Sequence, residues 1–102
     1  MNDNTPDIQT EETTDGGRYF VAMPNGEESR LTWRSLGDGV IDANHTFVPV
    51  PYREEGIAEA LVERLVADAR AKGRTIVPSC WFVADEFKRH APAWDDLLAS
   101  KS

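Results

Sequence analysis

The sequence predicts an α+β fold: an antiparallel strand meander leading into a β-α-β crossover, followed by short C-terminal helices. Three observations carry this expectation. Between residues 17 and 50, aromatic and β-branched stretches alternate with Gly, Asn and Pro turn residues, the mark of strands joined by tight connections. At Gly56 the apolar pattern changes to a spacing of four, the mark of an amphipathic helix. A β-branched run then follows Gly73, and strand, helix, strand in that order makes a parallel crossover.

The elements can be taken in order. Arg18 to Met23 is aromatic and β-branched and predicts a first strand. Pro24-Asn25-Gly26-Glu27 supplies the turn, because Pro presets φ and Asn-Gly tolerates positive φ. Ser29 to Leu36 alternates, with Leu31, Trp33 and Ser35 on one face, and predicts a second strand. Gly37-Asp38-Gly39 turns the chain into a third extended stretch, Val40 to Val50, with room for a bend near Asp42-Ala43-Asn44. Ile57, Leu61, Leu65 and Ala69 form a helical stripe that Val62 and Val66 widen, and Gly73 stands where a helix stops. Arg74 to Val77 predicts a short buried strand ended by Pro78. Trp81 to His90 predicts a second helix, and Trp94, Leu97 and Leu98 a last short one packed back on the sheet.

With 102 residues there is room for one hydrophobic core. Eighteen acidic against 11 basic residues give a net charge of −7, which argues against a nucleic-acid or anionic-membrane surface. Residues 1–16 hold Asp3, Asp7, Glu11, Glu12 and Asp15 with no Lys or Arg, and are expected to form a disordered acidic tail. The N-terminal residues carry neither a basic start nor an apolar stretch, and no run is long enough to span a bilayer. The expected location is the cytoplasm. The one cysteine, Cys80, excludes an internal disulfide, and Cys80, His45 and His90 lack metal-ligand spacing, so no metal is expected.

The chemistry is expected where the third strand region meets the main helix, at Val48-Pro49-Val50-Pro51-Tyr52-Arg53-Glu54-Glu55-Gly56-Ile57-Ala58. No Ser, Thr, Asp or Asn stands immediately before the helix, so its first N–H groups lack a side-chain cap. Unpaired N–H groups and the helix dipole favour an anion there. Gly56 offers no side chain to obstruct a phosphate. Pro49 and Pro51 interrupt the strand edge and open a cleft toward the next parallel strand.

Arg53-x-x-Gly56-x-Ala58 resembles the Q/R-x-x-G-x-G/A signature of the GNAT N-acetyltransferases. His45-Thr46-Phe47-Val48-Pro49, Ile76 to Val83 and Arg89 to Trp94 resemble, in order, segments of the small YjdJ-type N-acetyltransferase family. The resemblance runs from about residue 17 to 98 and implies a minimal GNAT-like fold, a single domain over 17–102. It implies acetyl-CoA as acetyl donor and an unidentified amine as acceptor. The pyrophosphate would rest on Arg53, Glu54, Glu55, Gly56, Ile57 and Ala58. The pantetheine arm would pair with the strand carrying Thr46, Phe47, Val48 and Val50. A backbone N–H there would polarise the thioester carbonyl.

The chain departs from the family pattern at three places. Phe82 replaces a common Tyr, Pro51-Tyr52 precedes the signature, and Glu54 and Glu55 bring negative charge to the pyrophosphate loop. Cys80 is a candidate nucleophile at the thioester end, against the plainer role of a small buried wall residue. His45 is a candidate base, against a packing or capping role. Trp33, Trp81 and Trp94 are expected in the core or at its rim. Only Pro24 to Glu28 separates the first two strands. Larger GNAT enzymes place acceptor-gripping helices there, so the acceptor face is expected to be open, suited to a large or partner-presented amine. The sequence leaves the oligomeric state open, with a monomer favoured over an assembly. Two rival functions keep a place: a CoA- or acyl-CoA-binding module without turnover, and a small protein-interaction adaptor.

Overall fold

The computed structural model describes residues 6–99. Five strands form one sheet in the order β1-β2-β3-β4-β5, where β1 is Gln9–Glu12, β2 Gly16–Ala22, β3 Glu28–Gly37, β4 Val40–Phe47 and β5 Thr75–Val77. The first four are antiparallel; β4 and β5 are parallel, joined by helix α1, Ile57–Lys72. Helix α2, Trp81–Arg89, follows, and a 3-10 turn at Asp95–Leu97 stands where the last short helix was expected. Leu98 forms a parallel bridge to Ile76, returning the C-terminal segment to the sheet.

One sheet face is packed. Ser29, Leu31 and Trp33 of β3 alternate inward and meet Tyr19 and Val21 of β2 and Ile41 and Ala43 of β4. The apolar stripe of α1, widened by Val62 and Val66, is buried throughout. Val83 and Phe87 of α2, with Trp94 and Leu97, extend the same core. Gly73 ends α1 with φ +69°, and the Arg74 N–H closes on the Ala69 carbonyl at 2.8 Å.

The structure corrects the expectation for the acidic tail. Gln9–Glu12 is not disordered but is an edge strand against β2. Composition alone hides the reason, because the stabilising partners are distant in sequence. Glu12 accepts hydrogen bonds from Arg74 at 2.7 Å and Lys72 at 3.3 Å, Glu11 accepts one from Arg18 at 2.8 Å, and Ile8 packs against the core. Gly17 permits the approach, since a Cβ there would lie 2.6 Å from the Glu11 carbonyl and 2.7 Å from the Trp33 ring. Residues 1–5, with Asp3, lie outside the described residues, as do 100–102.

Glu86 is 4% exposed, a carboxylate among apolar neighbours of α2. His90 and Arg89 stand 3.7 and 3.8 Å away, too far for strong hydrogen bonds. Burial, reinforced by the negative charge of Glu59, pushes its carboxyl above the usual range.

Two measurements follow. Deleting residues 1–15 should lower the melting temperature, by roughly 4–8 °C for each 1 kcal/mol lost. Arg74 holds the Glu12 carboxyl below its ordinary value of 4.5. Its contribution is therefore present above that value and lost as the pH falls through the lower folded value. The deficit should shrink in acid; an unchanged melting temperature at pH 7 would contradict the docked strand. Glu86→Gln should raise the melting temperature at pH 7 and converge on wild type in acid. A raised folded pKa adds stability only when the group is protonated, and that stability is lost as the pH rises through it. Equal melting curves at both pH values would count against this reading.

Candidate active site

The site begins with an interruption. β4 and β5 pair at Val40–Thr75, Ile41–Ile76 and Asp42–Val77. Pro78 then has no N–H to donate. One further link, the Cys80 N–H to the Ala43 carbonyl at 2.9 Å, closes the shared segment. Beyond it, Asn44 to Phe47 of β4 has no strand partner on the β5 side.

A β-bulge sits at the same point. Trp33 pairs with Ala43 and Thr32 with His45, so Asn44 is the extra residue; its side-chain oxygen accepts from the Thr32 hydroxyl at 2.6 Å. The bulge resets the alternation. Thr46 pairs with buried Leu31 and faces the helix side, while His45 pairs with Thr32 on the opposite face. The Cys80 thiol approaches the Thr46 hydroxyl at 3.6 Å.

β4 ends at Phe47, and a 3-10 turn at Val50–Tyr52 follows. The third extended stretch thus stops short of Val50, because Pro49 and Pro51 cannot donate to a ladder. Glu54 and Gly56 both take positive φ, +70° and +83°. Gly56 precedes α1 without a side-chain cap, and the Ala60 N–H is bonded to the Gly56 carbonyl at 3.0 Å. The N–H groups of Ile57, Ala58 and Glu59 have no intrahelical partner. A Cβ on Gly56 would meet nothing within 4 Å, so the space over the helix start is open.

Strand edge and helix start border one cleft of about 570 Å³. Of the residues expected from sequence, Thr46, Phe47 and Val48 line its strand side. Arg53, Glu54, Gly56, Ile57 and Ala58 line its helix side, and Cys80 faces them. Val50 does not: it is 70% exposed on the outside of the turn. Glu55 and His45 are exposed and also lie outside the lining. Sequence reasoning passed over Tyr52, Glu59 and Trp81, which do line the cleft. Trp33 and Trp94 are buried as expected, but Trp81 is 77% exposed, a correction to its expected place at the core rim.

Arg53 makes no ion pair among the described residues; its Nε donates to the Val48 carbonyl at 2.9 Å, pinning the loop to the end of β4. Tyr52 accepts a hydrogen bond from the Asn25 N–H at 3.0 Å, tying the β2–β3 turn to the cleft. Among the described residues, no three His, Cys, Asp or Glu side chains group as metal ligands. Among the described residues, no helix is long and apolar enough to cross a membrane. A second depression, of about 630 Å³, lies between α1 and the segment after α2, near His90 and Trp94; it gathers none of the expected residues except Trp94 and His90 themselves.

An uncapped helix start beside an unpaired strand edge can hold an anionic group and an extended chain together. A family model described as GCN5-related N-acetyl-transferase matches residues 18–97. The chain belongs to that family. The solution NMR structure of a GCN5-like protein from Staphylococcus aureus has the same fold, with a TM-score of 0.64 and 18% sequence identity. The alignment covers 98% of this chain and 94% of that one. This family member thus keeps the meander, the crossover and the GNAT fold expected from its sequence.

The loop carries its own test. A non-glycine residue in the left-handed region costs about 1–2 kcal/mol. Glu54→Gly should therefore raise stability by up to about 1 kcal/mol, and Gly56→Val should lower it, both read from urea midpoints. A loss of stability in Glu54→Gly would contradict the strained loop.

Proposed function

We propose that this chain is an acetyl-CoA-dependent N-acetyltransferase that transfers an acetyl group to an amine. The observation that supports it most is the meeting of the unpaired β4 edge with the uncapped start of α1. In this reading the first-turn N–H groups of α1 and the free Nη groups of Arg53 hold the pyrophosphate. These are charge-assisted hydrogen bonds, worth roughly 1.5–3 kcal/mol each. The pantetheine arm adds as a short strand along Thr46 to Val48, using main-chain groups that β5 leaves unpaired. Apart from Arg53, the groups that hold the donor are main-chain, so side-chain identity matters less here than geometry.

Transfer then needs three things. A β4 N–H polarises the thioester carbonyl. The neutral amine attacks the carbonyl carbon, forming a C–N bond, and the C–S bond breaks. The proton released by the amine ends on the departing thiolate, directly or through a group in the cleft. Cys80, next to Thr46, is our candidate for a chemical role at this end. His45 stands on the other sheet face and outside the cleft lining, so it is not assigned a step in the transfer. The short β2–β3 turn, tied to Tyr52 at the cleft, leaves the cleft mouth open to a large or partner-presented amine.

Calorimetric titration with CoA tests the donor site, and consumption of acetyl-CoA with an amine panel tests turnover. CoA should bind, and Gly56→Val should weaken it about tenfold or more through loss of one such hydrogen bond. Cys80→Ala should keep CoA affinity and lose acetyl transfer. Binding without turnover on any amine would favour a CoA-binding module instead; no CoA binding by folded protein would sink the reading.

A further inference from the structure

The arch that joins β4 to α1 hangs on one side chain. Pro49 at its start and Ile57 at its end are buried. Between them every residue is exposed except Tyr52, which is half-buried with its ring packed against the core. Most hydrogen bonds of the arch are local. The Tyr52 N–H donates to the Pro49 carbonyl at 2.9 Å, and the Arg53 N–H to the Val50 carbonyl at 3.2 Å. Arg53 Nε reaches back only to Val48. Among the described residues, one bond ties residues 50–55 to another part of the fold: the Asn25 N–H donates to the Tyr52 hydroxyl at 3.0 Å.

The far end of that bond is a rigid post. Asn25 Nδ2 donates to the Glu27 carboxylate at 2.7 Å, and the Glu27 N–H donates to the Asn25 side-chain oxygen at 3.0 Å. Two main-chain bonds close the same turn, Met23 N–H to the Glu27 carbonyl at 2.9 Å and Gly26 N–H to the Met23 carbonyl at 3.0 Å. The turn continues directly into the β2–β3 ladder at Ala22 and Glu28. The Asn25 side chain is spent inside the turn, and its main-chain N–H is left for Tyr52. Tyr52 also belongs to the Pro51-Tyr52 pair at which the chain departs from its family pattern.

The arch has work to do after Tyr52. Arg53 follows immediately, then the left-handed steps at Glu54 and Gly56, then the uncapped start of α1. A tethered arch has lost its conformational freedom before a ligand arrives, so binding does not have to order it. We propose that Tyr52 is a positioning residue for the donor: through the Asn25 turn it holds the arch, and with it Arg53, in the shape that receives the pyrophosphate. This rests on the acetyltransferase reading above and deepens its donor site. The ring of Tyr52 borders the cleft, while its hydroxyl acts away from the ligand, on the post.

The test starts from Tyr52→Phe, which removes the hydroxyl and keeps the ring. The CoA Kd, read by calorimetry, should rise about three- to tenfold, the range of one net hydrogen bond. The urea midpoint should hardly move, because the lost bond is exposed. A purely structural role would do the reverse, lowering the midpoint and sparing CoA affinity. Asn25→Ala keeps the N–H but unties the turn from Glu27, and should also weaken CoA binding. Combining the two should weaken it little more than the stronger change alone, because both act through one tie. Fully additive losses overturn the route through the turn. An unchanged CoA Kd in Tyr52→Phe overturns the proposal and leaves the donor site standing. No CoA binding by folded wild-type protein overturns the donor reading itself, and this proposal with it, so the two failures are told apart.

Discussion

The end of parallel pairing after Asp42 governs the rest of the molecule. β4 and β5 share three residue pairs, and Pro78 and the Asn44 bulge then part them. Had the ladder continued, the β4 edge would be satisfied by β5 and no extended ligand could pair with it. The Cys80 N–H bonded to Ala43 fixes where parting begins and brings the thiol to the opening. A few lost main-chain hydrogen bonds, each worth roughly 0.5–1.5 kcal/mol net, are the cost of a cleft built from backbone.

The rigid parts lie on either side of that gap. Leu61, Val62 and Leu65 of α1 are fully buried against a sheet that includes Leu31 and Ile76, also fully buried. Each such side chain contributes roughly 1.5–3 kcal/mol, so the axis of α1 and the plane of the sheet are firmly set. The loop between β4 and α1 is held by fewer contacts, among them the Arg53–Val48 hydrogen bond and the turn at Pro49. Glu54 and Gly56 supply the left-handed steps that let the chain reverse and start a helix without a side-chain cap. The strain sits where function is expected and the packing sits elsewhere.

Most of the fold was legible because its signals are local. The four-residue spacing from Ile57 to Ala69 and the turn at Pro24 to Glu27 need no knowledge of distant residues. β1 was not legible, because Glu12 finds Arg74 and Lys72 only after some sixty residues of intervening chain have folded. The face that His45 takes was not legible for a related reason. Strict alternation from Ala43 puts it on the helix side, and one inserted residue, Asn44, moves it to the other. Within the candidate site, the main-chain portion was readable from Gly56 and the two prolines. Trp81 was not: nothing in an apolar residue at a helix start says whether it faces a core or an opening.

Backbone amide chemical-shift mapping during CoA titration tests the central claim most directly, because the claim concerns main-chain groups. The largest shifts are expected on Thr46 to Val48 and on Gly56 to Glu59, with β1 and the groove near His90 unmoved. Saturable shifts confined to that groove, or to the helix-free sheet face around Thr32 and His45, would contradict a donor site between the splayed strands.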